Sequence, residues 1–152
     1  NFLWASGRAA DSEEALRGAL QLDPKNVAAN RALGVFLLAT GRGAEAEPNF
    51  KAIADAAGSV DARLTLAQYY TALRRWDEAR ATLDDVAKQP EGFAVATVRL
   101  AGLDAVQGRS QEAQQRLETV LQQNPKDTSA LLLKAALQRA DRKRSAALET
   151  VK

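Results

Sequence analysis

A chain of 152 residues without histidine or cysteine lacks the side chains that proteins use most often as general bases, metal ligands and thiol nucleophiles. Its 21 basic and 19 acidic residues leave a formal net charge of +2, so the composition predicts no strong attraction to nucleic acid or anionic lipid. No apolar run approaches the roughly 18 residues that a membrane span needs. We therefore expect no enzyme active site, no cofactor, no metal site and no membrane span. Without cysteine the compartment is undefined, and cytoplasm and periplasm both stay open.

One spacing of residues recurs along the whole sequence, with steps of 34, 33, 34 and 34 residues. A glycine or arginine is followed five positions later by a small residue, and four positions after that by an apolar residue. The first position is held by Gly7, Gly41, Arg74, Gly108 and Arg142, the second by Ser12, Ala46, Ala79, Ala113 and Ala147, and the third by Leu16, Phe50, Leu83, Leu117 and Val151. A period of this length is typical of repeat proteins, whose units bury their apolar faces against neighbouring units.

Apolar residues at helical spacing predict a series of helices separated by short turns. In chain order they cover residues 11–22, 27–40, 44–57, 60–73, 76–88, 93–107, 110–123, 128–140 and 144–151. No segment alternates with a period of two, so no strand is expected. Asp11 or Ser12 is the expected cap of the first of these helices. Pro90 is placed in an exit turn, and Pro48 is expected either in a first helical turn or at a kink.

Two series of residues give the repeat a family likeness. The first helices carry Leu33-Gly34, Leu66-Ala67 and Leu100-Ala101, and the second helices carry Ala46-Phe50-Ile53, Ala79-Leu83-Val86 and Ala113-Leu117-Val120. In these positions the chain resembles the tetratricopeptide repeat family, whose 34-residue unit is a helix-turn-helix with small residues at the helix crossing. The resemblance implies an all-α fold, a right-handed α-solenoid of antiparallel helix pairs. Lys134 stands where the other units have leucine, which predicts a less buried or terminal unit.

The resemblance also implies how the chain is divided. We expect a single array over residues 1–152, with partial repeats at 1–26 and 128–152 and full repeats at 27–59, 60–93 and 94–127. The chain begins at Asn1 and stops at Lys152 inside a helical pattern, so we expect it to be a segment of a longer protein.

In this family the first helices of successive units line the concave face, where partners usually dock. That register predicts a partner-binding surface formed by Arg31, Val35, Leu38, Asp61, Leu64, Gln68, Thr71, Val98, Arg99, Gly102, Leu132, Ala136 and Arg139. The mixture of apolar residues with a few charges favours an extended or helical peptide. The alternative is that these are ordinary solvated positions. The lysines and asparagines with which some members bind a terminal carboxylate are replaced here by Arg31, Val35, Thr65, Val95 and Arg99, which argues against that specific use.

The resulting hypothesis is a protein-protein interaction scaffold that holds a peptide or helical segment of a partner in its concave groove. The alternatives are a structural spacer or oligomerisation module within a larger protein, and an RNA-binding helical repeat such as the pentatricopeptide kind. The densest basic cluster consists of Arg139, Arg142, Lys143 and Arg144. We interpret it as a charged turn rather than a nucleic-acid site, because phosphate binding recruits many contacts. The sequence defines neither the partner nor the oligomeric state.

Overall fold

A computed structural model of the chain describes the backbone of residues 9–150 and the side chains of residues 9–142. This part of the chain is all-α and contains no strand. Its α-helices are α1 (Ala9–Leu22), α2 (Val27–Ala39), α3 (Glu47–Ala57), α4 (Val60–Ala72), α5 (Trp76–Ala87), α6 (Pro90–Val106), α7 (Ser110–Gln123) and α8 (Thr128–Thr150). A short 3-10 helix, Gly43–Ala46, precedes α3. Gly7, the first of the repeated glycine or arginine positions, lies outside the described residues.

Three helices begin at a side chain that caps the free backbone N–H groups of the first turn. The Asn26 side chain accepts a hydrogen bond from Ala29 N at 2.9 Å. Ser59 Oγ accepts one from Ala62 N at 3.3 Å, and Asp127 Oδ1 accepts one from Ala130 N at 2.9 Å. Short polar side chains at this position stabilise a helix by about 1 kcal/mol relative to alanine. These caps separate α2, α4 and α8 from the helices before them.

The turns within the helix pairs share a left-handed residue. Gly41 and Gly108 have φ values of 77° and 79°, and Arg74 occupies the same place with φ of 57°. Glycine adopts this conformation without steric cost, whereas a side chain is strained there. The predicted equivalence of the glycine and arginine positions is therefore confirmed for these three turns.

Pro48 lies in the first turn of α3, after the 3-10 helix. At this position a missing N–H removes no intrahelical hydrogen bond, since the first four N–H groups of a helix have no partner within it. The structure thus places Pro48 in a first helical turn, the first of the two arrangements that the sequence left open.

The chain divides into two compact units, with the division between Thr82 and Leu83 inside α5. In the first unit α1 packs on α2, α2 on the 3-10 helix and α3, and α3 on α4. Ala46 and Ala79 are fully buried in this unit, as their place at predicted helix crossings requires. Its largest buried side chains are Leu37, Ile53 and Tyr69.

The second unit contains the end of α5 with α6, α7 and α8. Within it α6 packs on α7, and α8 packs on both. Its core is a cluster of Ala101, Ala113, Leu117, Val120 and Ala130, none of them more than 1% exposed. The predicted burial of Ala113 and Leu117 is therefore confirmed. Ala147 and Val151, which the repeat pattern also marks, lie outside the described side chains.

Two predicted turns and one predicted cap are wrong. Pro90 starts α6 rather than standing in an exit turn, because the fixed φ of proline suits a first helical position. The predicted charged turn at Arg142 is absent, since α8 runs unbroken from Thr128 to Thr150. This stretch has no glycine or proline and consists largely of strong helix formers. Asp11 and Ser12 lie inside α1, which starts at Ala9, and so neither is the residue that precedes the helix.

The turn between the two helices of a pair is followed by an arginine that forms an ion pair with a carboxylate. We call this arrangement the arginine clip. Arg42 donates to Glu13 of α1 at 2.6 Å, and Arg75 donates to Glu47 of α3 at 2.5 Å. Arg109 instead bonds the buried Asp104 at 2.8 Å. Hydrogen bonds from Arg75, then from Lys51 and Tyr70, lower the pKa of Glu47 to about 2 although burial opposes the shift. The clips recur every 33 or 34 residues and so belong to the repeat.

Candidate functional site

A groove of about 260 Å³ lies between α2 and α4 of the first unit. From α2 it receives Arg31, Val35 and Leu38, whose spacing of four and three residues puts them on one helix face. The remaining lining residues are Phe50 of α3 and Thr65, Gln68, Tyr69 and Ala72 of α4. We call this feature the α2–α4 groove.

Two stacked aromatic rings form the floor of the groove. The rings of Phe50 and Tyr69 lie 4.7 Å apart at an angle of 22°. Tyr69 is 2% exposed, and its hydroxyl donates a hydrogen bond to the carbonyl of Gly43 at 3.0 Å. Burial is also the main reason why the pKa of Tyr69 is raised. A ring fixed by stacking and by its hydroxyl gives the groove a rigid apolar base.

The position of the Phe50 ring in the floor depends on Gly34 of α2, which has no side chain. A Cβ built on Gly34 would lie 2.9 Å from Cε2 and 3.1 Å from Cζ of Phe50. These distances are too short for carbon atoms in contact, so the Phe50 ring occupies space that only glycine leaves free. Leu33-Gly34 is thus both a crossing motif and part of the support of the groove.

The rim of the groove carries one charge. Among the described side chains that line it, Arg31 alone is ionic, and its guanidinium forms no salt bridge with any described residue. Thr65 and Gln68 add polar atoms, but Thr65 Oγ1 already donates to the carbonyl of Asp61 at 2.8 Å. Val35 remains 48% exposed above the aromatic floor. The groove therefore presents an apolar surface with a cation at one end.

The structure brings four of the predicted partner-binding residues together in this groove. They are Arg31, Val35, Leu38 and Gln68. Asp61, Leu64 and Thr71 are on α4 but do not line it. Leu64 is only 5% exposed and belongs to the core. Thr71 is half-buried, with its hydroxyl donating to the Ala67 carbonyl at 2.8 Å.

The predicted partner-binding set omitted Thr65, Tyr69 and Ala72, although Thr65 had been placed on the same face as a carboxylate-binding position of the family. The sequence register assumed that equivalent positions of successive units face the same way, which selected Leu64 and Thr71. The flank of α4 that faces α2 lies one residue further along, at Thr65 and Ala72. A signal was available in the two aromatic residues Phe50 and Tyr69, which the structure stacks in the floor of the groove.

The other predicted partner-binding residues belong to the second unit. On α6, Val98 and Gly102 are half-buried and Arg99 is exposed. On α8, Leu132 is 68% exposed, and Ala136 and Arg139 are also exposed. Their role in binding stays a prediction.

The described residues contain no group of three or more carboxylate, histidine or cysteine side chains placed to hold a metal ion. Within the same part of the chain, no helix combines the length and apolar character of a membrane span.

Lys134, predicted to be less buried, has a side chain 30% exposed that pairs with Glu118 at 3.5 Å. The side chains that line the α2–α4 groove are apolar or uncharged apart from Arg31.

Comparisons with known proteins agree with this architecture. The chain is 28% identical to cellulose synthase 1 operon protein C of Komagataeibacter xylinus over 84% of its length, but it covers only 11% of that protein. Among solved structures, it resembles a tetratricopeptide repeat protein from Parabacteroides merdae with a TM-score of 0.67. The identity to that protein is 21%, over 90% of this chain and 55% of the other.

Two further solved structures share the fold. MamA matches with a TM-score of 0.64 and 18% identity, over 97% of this chain and 86% of the other. PilF of Pseudomonas aeruginosa matches with a TM-score of 0.63 and 20% identity, over 97% of this chain and 68% of the other. The family model for the tetratricopeptide repeat matches residues 3–50 and 44–98, which is more than half of the chain. The chain belongs to the tetratricopeptide repeat family, whose members are generally protein-interaction scaffolds.

Proposed function

We propose that this chain binds a short segment of a partner protein in the α2–α4 groove. The observation that carries the proposal is Val35, an exposed aliphatic residue standing over the buried Phe50–Tyr69 stack. Covering this surface with an apolar side chain removes apolar area from water on both partners, which favours association. The rigid floor lowers the entropy cost of binding, because it is already ordered by its internal contacts.

The dimensions of the groove favour a peptide over a small-molecule ligand. Drug-sized ligands occupy pockets of about 300 to 1,000 Å³ that enclose most of their surface. The α2–α4 groove has about 260 Å³ and is open to solvent along the exposed Val35. A site of this size accommodates one or two side chains of a longer chain that continues beyond it.

A peptide array tests the proposal with two variants, each of which replaces an exposed aliphatic residue with glutamate. Val35→Glu places a carboxylate over the apolar floor, and Leu22→Glu places one on a residue of α1 that is 91% exposed and outside the groove. We expect the native chain and Leu22→Glu to bind the same peptides and Val35→Glu to lose them. Circular dichroism checks that both variants stay folded. Peptides that bind Val35→Glu as well as the native chain would contradict the proposal.

We also propose that the helix pairs form one array within a longer protein. The Komagataeibacter relative supports this idea, since the matched region is a small part of it. In that setting the array either presents the groove to a partner or spaces other parts of the protein. The two roles differ in one result: Val35→Glu in the full-length protein impairs its activity if the groove is used and leaves it intact if the array is a spacer.

A further inference from the structure

We infer that α8 joins two copies of this chain in an antiparallel dimer, in which each copy supplies a second helix for the last helix pair of the other. The contact surface belongs to the second unit, so the inference is independent of the groove proposed in the first unit. It rests on a face of α8 that is exposed where the same face of an earlier helix is buried, and on the unbroken course of α8.

One face of α8 is exposed along its first three turns. Leu131 is 46% exposed, and Ala135 and Gln138 are exposed as well. Their spacing of four and three residues places them along one side of the helix. The equivalent residues of α6, one repeat of 34 residues earlier, are at most 5% exposed; they are Thr97, Ala101 and Asp104. The face that is buried in a complete helix pair is therefore exposed in α8.

In complete pairs this face is covered by the second helix of the same pair. Helix α3 packs on α2, and α7 packs on α6. A Cβ built on Gly34 would meet the Phe50 ring, and Ala101 lies in one buried cluster with Leu117. Each contact joins a small residue of the first helix to a bulky residue sixteen positions later. The exposed face of α8 therefore fits an antiparallel helix with a bulky residue at the corresponding place.

The C-terminal part of α8 carries the sequence of such a second helix but lies far from its own first part. Ala147 and Val151 repeat the spacing of Ala113 and Leu117. In complete pairs a residue of positive φ reverses the chain between the two helices, whereas α8 continues as one helix past this point. Ala135 and Ala147 are therefore about 18 Å apart along the axis, at 1.5 Å per residue. A second copy brings this sequence to the exposed face without bending either helix.

The complete pairs define the register of the dimer. Gly34 and Phe50 lie eight residues before and eight residues after the midpoint of their hairpin. The same separation pairs Ala135 of one copy with Val151 of the other, and the pair is centred on Lys143. A twofold axis at Lys143 forms this contact twice, since a symmetric dimer uses the same patch on both subunits.

This register gives the dimer a distinctive dependence on salt. It brings Arg142, Lys143 and Arg144 of both copies together near the twofold axis. Like charges repel one another there, and salt screens the repulsion. The apolar contacts on both sides of the axis oppose it. Dimerisation should therefore strengthen as the salt concentration rises, whereas an association built on ion pairs would weaken.

Analytical ultracentrifugation at increasing protein concentration tests the association. We expect the mass of two chains at high concentration, and a larger dimer fraction at high salt than at low salt. Ala135→Gln places a longer polar side chain at the close crossing without changing the net charge. Because the crossing occurs twice, the dissociation constant should rise by about tenfold or more. The matched control is Ala19→Gln, at an exposed position of α1, which should dimerise like the native chain.

Cysteine pairs test the swapped arrangement directly, because the chain has no cysteine of its own. Oxidation of the double variant Ala135→Cys/Val151→Cys should give a covalent dimer on a non-reducing gel. A mixture of the two single variants should form a disulfide between them. The Ala135→Cys variant alone should not, because the two copies of residue 135 are about 24 Å apart along the axis in this register.

The contrary results are distinct. A chain that stays monomeric at every concentration would overturn the inference, and so would a dimer that Ala135→Gln leaves intact while circular dichroism shows the native helix content. A monomeric double variant with an internal disulfide would show that α8 bends and covers its own face. A monomeric chain whose α8 resonances shift on addition of a peptide with the sequence of α7 would show that a separate helix is the occupant. A dimer that weakens as salt rises would contradict the antiparallel register.

Discussion

The crossing of α2 and α3 offers a prediction in which two opposing effects have known sizes. Alanine is favoured over glycine inside a helix by about 0.8 to 1 kcal/mol, so Gly34→Ala would stabilise an isolated α2. In the folded chain the added Cβ meets the Phe50 ring at 2.9 Å. That ring is 5% exposed and stacked on Tyr69, so it cannot move aside without losing contacts. Overpacking of this kind lowers the free energy of unfolding by about 1 to 3 kcal/mol. We therefore expect Gly34→Ala to destabilise the chain, because the clash outweighs the gain in helix preference.

Gly102→Ala is the matched control for this experiment. Gly102 lies inside α6, and no atom comes within 4 Å of a Cβ built on it. The free energy of unfolding of Gly102→Ala should rise by about 0.5 to 1 kcal/mol, because only the helix preference changes. The difference between the two variants isolates the clash, and we expect it to be about 1 to 3 kcal/mol. Urea denaturation followed by circular dichroism measures both.

A second substitution should relieve the clash. In the second unit the equivalent positions hold Ala101 and Leu117, which belong to the same buried cluster. Gly34→Ala combined with Phe50→Leu copies that pair into the first unit. We expect the double variant to be more stable than the sum of the single changes predicts, by about 1 kcal/mol or more. Equal stabilisation by Gly34→Ala and Gly102→Ala, with additive behaviour of the double variant, would refute this account of the crossing.

Three further predictions concern the turns and the ion pairs. Arg74→Gly should raise the free energy of unfolding by about 0.5 to 1 kcal/mol in urea denaturation, because it relieves a left-handed backbone; no gain would show that the φ of 57° carries no strain. Ionised Glu47 has a depressed folded pKa, so its contribution is present above the unfolded value near 4.5 and is lost as the pH falls towards about 2. Glu47→Gln should therefore destabilise the chain at pH 7 and much less at pH 2.5, and an equal loss at both pH values would contradict this assignment. Asp104 is 1% exposed and bonds Arg109 and Arg116 at 2.8 Å. Replacing both arginines with alanine should lower the free energy of unfolding by about 3 to 5 kcal/mol in the same urea assay, more than the sum of the two single replacements. Additive effects of the single replacements would argue against a carboxylate shared by both arginines.

The repeat was predictable from sequence because small and bulky residues must alternate in phase wherever helices cross closely. The spacing marked Ala46, Ala79 and Ala113 as repeat positions, the family resemblance placed them at helix crossings, and each is fully buried. The family, the helical content and the turns at Gly41 and Gly108 followed from the same pattern. Local chemistry determines these features, so they are visible in a single chain.

The features that sequence reasoning missed depend on which flank of a helix faces its neighbour. A register carried from unit to unit placed Leu64 in the binding surface, whereas the structure buries it and turns Thr65 to the groove. One residue of displacement rotates a side chain by about 100° around the helix axis, and apolar periodicity does not resolve that rotation in helices that are apolar on several sides.

The arginine clips were missed for a different reason. Arg42 and Arg75 bond carboxylates 29 and 28 residues earlier in the chain, as well as Glu45 and Glu78 three residues later. The short-range half of this pattern, an arginine with a glutamate three positions on, is visible in the sequence. The long-range half appears only once the helices are packed. The unbroken α8 is a similar case, because the expected turn was carried over from units that have a residue with positive φ there.

The most direct test of the central claim, that the α2–α4 groove is a peptide-binding site, is an NMR titration of the isotopically labelled chain with a peptide selected on the array. The account predicts that the largest amide shifts fall on residues around Val35 and Gln68 and that Val35→Glu abolishes them. Saturable binding whose shifts fall on α7 or α8 and leave α2 and α4 unchanged would contradict it.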